Sequence, residues 1–387
     1  MPAGASWAAY GRLVRVLGFG TYDTATHPRM GILLEGLRAA GDSVLEINEP
    51  LGLDTAARVA LLRQPWRLPL LAGRLAGRWA ALIRRVRRSR RRGTAAPDVV
   101  LVGYLGHFDV LLARWLYRRT PIALDHLISA ADTARDRGVA GWLTGRLLTW
   151  LDGAALATAD LVVVDTTEHV GLLPAARRAK AVVVAVGAPS AWSAGPRPAA
   201  SAAPLRVVFF GLYTPLQGAP VVGAALGLLA DCPGVTALMV GGGQDRARAQ
   251  AAASANPRVL WRDWVPPAEL PAIVRGADVC LGIFGTSPKA RRVVPNKVFQ
   301  GAAAGCAIIT SDTVPQRRLL GSAAVRIPPG DPVALAAALR GLSADPARLR
   351  SLQQAAAALA DRAFRPSVVV VPFRQRLIGL VEQAAQS

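Results

Sequence analysis

The sequence has few of the groups from which metal and redox sites are built. It contains three cysteines (Cys232, Cys280 and Cys306) and four histidines among 387 residues. The cysteines show neither CxxC spacing nor the histidine partners of a zinc site. We therefore expect buried thiols in a reducing compartment.

Long apolar runs are also missing. No uncharged stretch reaches the roughly 20 residues that a membrane-spanning helix needs. The N-terminus, MPAGASWAAYGRLVRVLGFG, lacks the cationic start and long apolar block of a signal peptide. The expected location is cytoplasmic, with the inner membrane surface as the alternative.

Acidic residues are scarce: 25 Asp and Glu stand against 46 Lys and Arg, which gives a net charge of +21. A field of this sign attracts phosphates, nucleic acid or anionic lipid headgroups. The chain is 52% hydrophobic and 18% charged, which excludes a disordered protein. Its length suits two domains.

Short apolar runs rich in β-formers alternate with longer helical patterns. Runs such as VVFF and LVVV lack alternation, which is typical of parallel strands covered by helices on both faces. The sequence thus predicts an α/β fold of right-handed βαβ units in doubly wound sheets. The predicted strands are Leu13–Phe19, Ser43–Ile47, Asp98–Gly103, Pro121–Leu124, Asp160–Val164, Ala181–Val186, Leu205–Phe210, Val235–Val240, Ala277–Phe284, Ala307–Thr310 and Ala324–Ile327.

A stretch without periodicity, Gly187–Pro204, is rich in Pro, Ala and Ser and separates two βαβ series. It predicts a hinge between two Rossmann-like domains. Ligands bind at the carboxyl ends of strands in such sheets, so we expect a cleft between the two sets of strand ends.

The second half carries glycine turns typical of phosphate binding. Gly211 and Gly218 bracket a loop between a strand and a helix, and the strand Val235–Val240 runs into Gly241, Gly242 and Gly243. Helix N-termini present free N–H groups to phosphates. One such turn alone is an ordinary α/β turn, whereas two on successive strands favour a phosphate site.

A basic segment follows the strand Ala277–Phe284, with Lys289, Arg291, Arg292 and Lys297 within nine residues. Asn296 is the predicted N-cap of a helix that runs to about Gly305. Cations at a helix start oppose its dipole, so they indicate a diphosphate there. The alternative is a solvated basic loop.

Four motifs in this half resemble glycosyltransferase family 4 of the GT-B fold: FFGLYTPLQG, LMVGGG, RDWVPPAELPAIVRGADVCLGIFG and PNKVFQGAAAGCAIITSD. Their order and spacing match the family's donor domain over most of residues 205–345. The resemblance implies a UDP-, GDP- or similar nucleotide-sugar donor and a hexosyl transfer with retention of anomeric configuration. The resemblance, taken with the glycine turns and the basic segment, gives these donor-binding candidates: Gly20, Gly211, Tyr213, Gln217, Gly218, Gly242, Val265, Lys289, Arg292, Asn296, Lys297 and Gln300.

The sequence departs from the family at four charged positions. Leu212 and Gln217 stand where the family usually has Arg and Lys, and Arg292 and Gln300 where it has two Glu. Gln300 can still hydrogen-bond a ribose hydroxyl. Either the site has been rebuilt with relocated cations or it binds a donor poorly. The alternatives are therefore a non-catalytic GT-B relative that acts as a membrane-associated partner protein, or a nucleotide-sugar 2-epimerase.

The first half supplies the predicted acceptor side and catalytic residues. His27 and Arg29 lie near a helix start, and His107 and Asp109 follow a strand; these four are the acceptor-side candidates. Asp125 and His126 follow the next strand, where the family places a His or Asp beside the reacting sugar. They are the catalytic candidates, to orient or deprotonate an acceptor hydroxyl, with a buried hydrogen-bonded pair as the alternative. Glu168 and His169 are expected at a helix start.

No DxD-type acidic cluster is present, so the sequence predicts no metal and no cofactor apart from the nucleotide-sugar substrate. The resemblance also implies that the last helix crosses back to the first domain. The predicted domains are therefore 1–190 with 364–387 on the acceptor side, and 205–363 on the donor side.

The segment Arg63–Arg92 contains eleven arginines and no acid. At about 100° per residue its apolar residues share one face and its arginines the other. This is the pattern of an interfacial helix on anionic lipid, which would suit a lipid-linked or polysaccharide-precursor acceptor. The alternative is a helix packed on its own sheet. Nucleic acid is not an expected partner, because no RNA or DNA module is recognisable.

Overall fold

The computed structural model describes residues 12–24, 27–52, 68–103, 106–127, 129–138, 141–193 and 204–386. The chain divides into two compact units, Met1–Ala185 with Pro366–Ser387, and Val186–Arg365. No helix of the described ranges combines the length and apolarity that crossing a bilayer requires.

The first unit is built on a parallel six-stranded sheet in the order β2-β1-β3-β4-β5-β6. Its strands are β1 (Arg15–Gly20), β2 (Ser43–Asn48), β3 (Val99–Val102), β4 (Ile122–Asp125), β5 (Leu161–Val164) and β6 (Ala181–Val183). Its helices up to the second unit are α1 (Arg29–Ala39), α2 (Leu68–Arg91), α3 (Asp109–Leu116), α4 (Ala130–Asp136), α5 (Trp142–Thr158), α6 (Thr167–Leu172) and α7 (Ala175–Arg178).

The second unit has its own parallel six-stranded sheet, in the order β12-β11-β10-β7-β8-β9. Its strands are β7 (Leu205–Phe210), β8 (Val235–Val240), β9 (Val259–Arg262), β10 (Val279–Leu281), β11 (Ala307–Ser311) and β12 (Ala324–Ile327). Its helices are α8 (Ala219–Gly227), α9 (Arg246–Ala253), α10 (Leu270–Arg275), α11 (Asn296–Ala303), α12 (Val314–Leu320), α13 (Pro332–Ala344) and α14 (Pro346–Ala363). Short 3₁₀ turns lie at Ser190–Trp192 and Pro215–Gln217.

The C-terminal helices α15 (Pro366–Val369) and α16 (Val371–Gln386) belong to the first unit. Arg374 of α16 donates to both carboxylate oxygens of Asp42, at 2.8 and 3.0 Å, and Asp42 also accepts the amide of Val14. Val14 directly precedes β1 and Asp42 directly precedes β2, so Arg374 binds at the amino-terminal edge of the first sheet. This buried pair ties the end of the chain to its beginning.

Each face of the first sheet carries one apolar cluster. Side chains of α1 and α16 cover one face, and those of α2, α3 and α5 cover the other. The central strands β3, β4 and β5 are buried at every position, because helices remove both of their faces from water. The predicted α/β class with doubly wound parallel sheets is confirmed.

The apolar face of α2 lies on the protein's own sheet. Leu82 and Val86 are fully buried in the cluster that also holds α3 and α5, and Trp79 packs against it. From Trp79 onward the apolar side of α2 therefore faces protein and not lipid, and the interfacial interpretation is wrong for that part of the helix. Residues 63–67 of the basic segment lie outside the described residues.

The strand assignments from sequence need two corrections. Strand β9 was missed, since its four residues follow Pro257 with too short an apolar run. The run Ala277–Phe284 forms a strand only over Val279–Leu281, because beyond it the amide of Phe284 donates to the carbonyl of Gln217 in a loop.

Gly36 is the point at which α1 meets α15. A Cβ at this position would lie 2.3 Å from the carbonyl oxygen of Pro366 and 2.7 Å from Cβ of Val370. We expect Gly36→Ala to lower the free energy of unfolding by about 2 kcal/mol, because backbone has to shift. On the same helix, Gly31→Ala is the matched control: its nearest neighbour would be Cβ of Thr24 at 3.6 Å. There the higher helix propensity of alanine should stabilise by up to about 1 kcal/mol. Urea unfolding of both variants measures this, and equal effects would contradict the packing argument.

Candidate functional site

The strand order of the second sheet reverses between β7 and β10, and the loops after these strands touch there. Gly218 has a left-handed φ of +67°, and a Cβ on it would lie 2.5 Å from the backbone of Phe284 and Gly285. Only glycine allows this approach. Such a switch point is where open α/β sheets bind ligands.

The loop after β8 joins the same surface. Gly241 has a φ of +115°, and its Cβ would lie 2.1 Å from the carbonyl oxygen of Gly211. The amide of Tyr213 donates to the carbonyl of Gly242 at 2.8 Å. Three glycine turns, after β7, β8 and β10, therefore form one continuous backbone surface at the carboxyl edge of the sheet.

Helix α11 brings Lys297 to this surface. The Lys297 side chain is 4% exposed, and its ammonium lies 3.6 Å from the ring centroid of Phe209. A Cβ on Gly211 would lie 3.8 Å from Nζ. Nζ has no hydrogen-bond acceptor among the described residues. Burial lowers the pKa of Lys297 to about 7. A buried cation that contacts aromatic rings, with no acceptor in the described part of the chain, can bind an anion.

Asn296 is the first residue of α11 and not its cap. Pro295 occupies the cap position, and no side chain bonds to the free amides of the first turn. The predicted capping role of Asn296 is therefore wrong, because Pro295 holds the extended backbone that a cap requires. The amide of Val298 donates to the carbonyl of Pro295 at 3.0 Å, which leaves the amides of Asn296 and Lys297 as the candidates to meet a phosphate.

The other predicted donor residues lie near the carboxyl edge of the second sheet and differ in how deeply they are buried. Gln300 is buried one turn along α11, Lys289 is buried in the loop before it, and Arg292 is half-buried there. The Gln217 side-chain oxygen is buried without a hydrogen-bond partner in the described residues. Val265 follows β9 and is half-buried.

Tyr213 departs from its predicted role. Its side chain is fully buried, with its ring 5.5 Å from that of Phe209 and 6.4 Å from that of Trp261. Burial also raises the pKa of its hydroxyl. Its side chain is part of the core and cannot contact a donor, so only its backbone belongs to the site.

In the first unit, Asp109 ties together the loops after β1 and β3. One carboxylate oxygen accepts from the amide and hydroxyl of Thr21, at 2.7 and 2.8 Å, and the other accepts from the indole of Trp79 at 2.9 Å. A Cβ on Gly20 would lie 3.0 Å from the same carboxylate. The predicted acceptor role of Asp109 does not fit, because its oxygens are already engaged.

Arg29 and Asp125 form a buried ion pair, with Nε 3.3 Å from Oδ1. Arg29 also donates to the carbonyls of Val184 and Ala185 at the end of β6. Burial raises the pKa of the Asp125 carboxyl, against the effect of Arg29. Neither side chain can serve in the role predicted for it, Arg29 on the acceptor surface and Asp125 as an accessible base, since both are about 1% exposed.

His126 and His107 lie together beside Asp152 of α5. The two imidazole rings are 5.4 Å apart in an edge-to-face arrangement, and Nε2 of His107 is 2.9 Å from a carboxylate oxygen of Asp152. Burial, with the nearby His107, lowers the pKa of His126 to about 4. His126 is therefore a neutral imidazole at pH 7, which can accept or donate a hydrogen bond. His27 is half-buried near the start of α1.

Asp152 was not singled out from the sequence. Burial pushes its pKa upward, but the interaction with His107 and hydrogen bonds from Ser129 and Ala130 lower it to about 2. A lone acid within the apolar stretch TWLDGAAL was the available signal. His169, expected at a helix start, lies in the first turn of α6, which Thr166 caps. Its partner Asp165 was not singled out from the sequence.

His107, His126 and Asp152 also carry the donor atoms of a metal site, all within 4.8 Å of one another. The carboxylate of Asp152, however, already accepts from Ser129, Ala130 and Ala131 at the start of α4. Those bonds account for the position of the carboxylate without an ion. The independence from metal stays a prediction.

Residues 204–345 match the family model described as Glycosyl transferases group 1. This segment is a glycosyltransferase group 1 domain. Solved structures extend the likeness in fold to the whole chain. Anabaena HepE in complex with UDP is 14% identical and has a TM-score of 0.64, with 95% of this chain and 100% of that chain covered.

A complex of the same Anabaena protein with UDP-glucose gives 15% identity and a TM-score of 0.65, over 96% of this chain and 100% of that chain. Sucrose-phosphate synthase from Thermosynechococcus elongatus is 16% identical with a TM-score of 0.69, over 96% of this chain and 100% of that chain. The fold is GT-B. Among curated proteins there is no significant sequence match.

The buried ammonium of Lys297 makes a prediction about stability. Its pKa falls from 10.5 to about 7 in the folded chain, so the folded state binds fewer protons than the unfolded state between these values. The cost of burial is complete below pH 7 and disappears as the pH rises toward 10.5. We expect Lys297→Met to be more stable than the wild type by roughly 2–4 kcal/mol at pH 6, with a smaller gain at pH 9. Urea unfolding at both pH values measures the difference, and a loss of stability at pH 6 would contradict it.

Proposed function

We propose that this protein is a retaining glycosyltransferase that moves a hexose from a nucleotide-sugar donor to a lipid-linked or polysaccharide-precursor acceptor. The observation that carries the proposal is Lys297: a buried ammonium that finds no acceptor in the described part of the chain, held beside three glycine turns at the switch point of the second sheet. A diphosphate is the ligand whose charge and size suit this combination.

The donor diphosphate would lie over the turn at Gly211 and the first turn of α11. Free backbone amides and the Lys297 ammonium would share its charge there. Gln300, one turn further along α11, would hydrogen-bond the ribose. The solved relative from Anabaena was crystallised with UDP and with UDP-glucose, which supports a uridine nucleotide as the first donor to test.

The first unit would handle the acceptor through His126. A neutral imidazole can accept a hydrogen bond from the acceptor hydroxyl and so orient that hydroxyl while the sugar–phosphate bond breaks. The carboxylates described at this sheet edge are engaged: Asp125 with Arg29, Asp109 with Thr21, and Asp152 with Ser129. Because each of these three carboxylates already has a partner, none of them is favoured as a nucleophile that would form a covalent sugar intermediate. Direct attack on the donor, with the diphosphate as leaving group, fits better.

Two variants test the donor site directly. We expect Lys297→Ala to lower kcat/KM for release of nucleotide diphosphate about 10- to 100-fold, because a charge-assisted bond to the leaving group is lost. Gln300→Ala should raise KM by about tenfold with a smaller effect on kcat. The matched control is Arg291→Ala, an exposed cation in the same basic segment, which should leave both constants unchanged. The readout is acceptor-dependent nucleotide release from UDP-glucose and related donors.

Three results would contradict the proposal. One is the absence of nucleotide-sugar binding across common donors. Another is nucleotide binding without turnover in the presence of lipid-linked and saccharide acceptors, which would favour a non-catalytic partner protein. The third is conversion of the donor without any acceptor, which would indicate an epimerase.

The affinity for a nucleotide sugar should also depend on pH. Below pH 7 Lys297 is protonated before the donor binds, whereas above pH 7 binding has to take up a proton. We expect the Kd for UDP-glucose to rise about tenfold between pH 6 and pH 8, since each pH unit above the pKa costs about 1.4 kcal/mol. Calorimetry in buffers of different ionisation enthalpy measures both the affinity and the number of protons taken up on binding. A Kd that stays flat in the wild type, or rises equally in Lys297→Met, would exclude this lysine as the cause.

A further inference from the structure

Helix α5 exposes a set of large apolar side chains that the fold does not use. Trp142, Leu143, Leu147 and Trp150 are 72%, 71%, 61% and 66% exposed. At about 100° per residue these four positions span an arc of about 140° on one side of the helix. Arg146 lies within the same arc, and its guanidinium stacks 5.2 Å above the ring of Trp142.

The neighbouring helix α3 continues this surface. Phe108 just before it, and Leu111 and Trp115 on it, are 42%, 37% and 54% exposed. Helices α3 and α5 touch each other, and their inner sides enter one apolar cluster on the same face of the first sheet. We call the exposed apolar side chains of these two neighbouring helices the aromatic face: Phe108, Leu111, Trp115, Trp142, Leu143, Leu147 and Trp150.

Helix α2 borders the aromatic face with positive charge. The indole of Trp79 donates to Asp109 at the start of α3, and Arg90 donates to the carbonyl of Leu116 at its end. The two helices thus lie side by side along their length. The outer side of α2 is lined by exposed arginines, among them Arg84, Arg87 and Arg88, and the helix has no acidic residue.

An apolar surface of this extent on a folded protein marks an interaction site, because water contact with several Trp and Leu side chains is unfavourable. Its chemistry selects the partner. On α5, Trp142 and Trp150 flank Arg146, an arrangement that suits the boundary between lipid headgroups and acyl chains. The exposed arginines of α2 suit anionic headgroups.

We propose that helices α2, α3 and α5 form a membrane-docking face that binds an anionic phospholipid bilayer, with the aromatic face inserted at the interface. The apolar anchors are those of α3 and α5, while α2 contributes charge only, since its own apolar side packs on the sheet. This proposal does not depend on the donor site or on the transfer reaction.

The test is sedimentation of the full chain with vesicles. The wild type should bind vesicles of phosphatidylglycerol and phosphatidylcholine, bind pure phosphatidylcholine much less, and lose binding as salt increases. The double variant Trp142→Ser with Trp150→Ser should bind at least about tenfold more weakly. Arg84→Gln and Arg87→Gln should each weaken binding about fivefold, since each arginine near such a surface contributes about 1 kcal/mol.

Leu147→Ser and Leu260→Ser form the matched control pair. Leu260 of β9 is 63% exposed, much like Leu147 at 61%, but it belongs to the second unit. Only Leu147→Ser should weaken vesicle binding. Circular dichroism and thermal unfolding establish that each variant is folded.

Three outcomes would overturn the proposal: no binding of the wild type to anionic vesicles, equal binding by the folded Trp double variant, or equal loss in Leu260→Ser. A wild type that self-associates without vesicles, and a Trp double variant that is monomeric, would instead assign the aromatic face to contacts between copies of the chain.

Discussion

Helices on both faces of each parallel sheet impose the constraint on which the rest of this molecule depends. With both faces dry, polar groups and ligands can meet the sheet only at the carboxyl ends of its strands. In the second unit that edge is made of backbone: Gly218 and Gly241 let three loops touch where any side chain would clash. The Lys297 side chain lies against this backbone surface, with Nζ close to Gly211, and contributes to its electrostatics.

In the proposed donor site, Lys297 would supply positive charge that the family's usual positions do not provide here. The family's Arg and Lys positions in the first loop hold Leu212 and Gln217, so no cation comes from that loop. A cation beneath the loop, on the first turn of α11, is desolvated, which strengthens its attraction to a phosphate and destabilises the empty protein. The same burial explains both the weak intrinsic stability that we expect at this point and the dependence of donor affinity on pH.

The sequence predicted the strands well, because buried parallel strands are continuous apolar runs, and Leu205–Phe210 and Val235–Val240 have the predicted bounds. It also indicated Lys297, since a cation at a helix start is unusual. It could not show that Arg29 pairs with Asp125, because 96 positions separate them and only the folded sheet brings them together. Nor could the pattern of α2 decide whether its apolar side faced lipid or protein: both surroundings select the same residues.

In the first unit, the aspartates at the carboxyl edge of the sheet are engaged in structural hydrogen bonds and ion pairs, which limits the side chains that could take part in catalysis there. Asp109, Asp125 and Asp152 each anchor a loop or helix end, so the group that remains for chemistry at the edge is the neutral imidazole of His126. Phe108, an exposed member of the aromatic face, lies directly between His107 and Asp109 in the chain. If both proposals hold, a lipid-linked acceptor whose headgroup emerges from a bilayer at Phe108 would meet His107 at the adjacent position. The loop that carries Phe108 and His107 would then join the proposed docking face to the proposed acceptor chemistry.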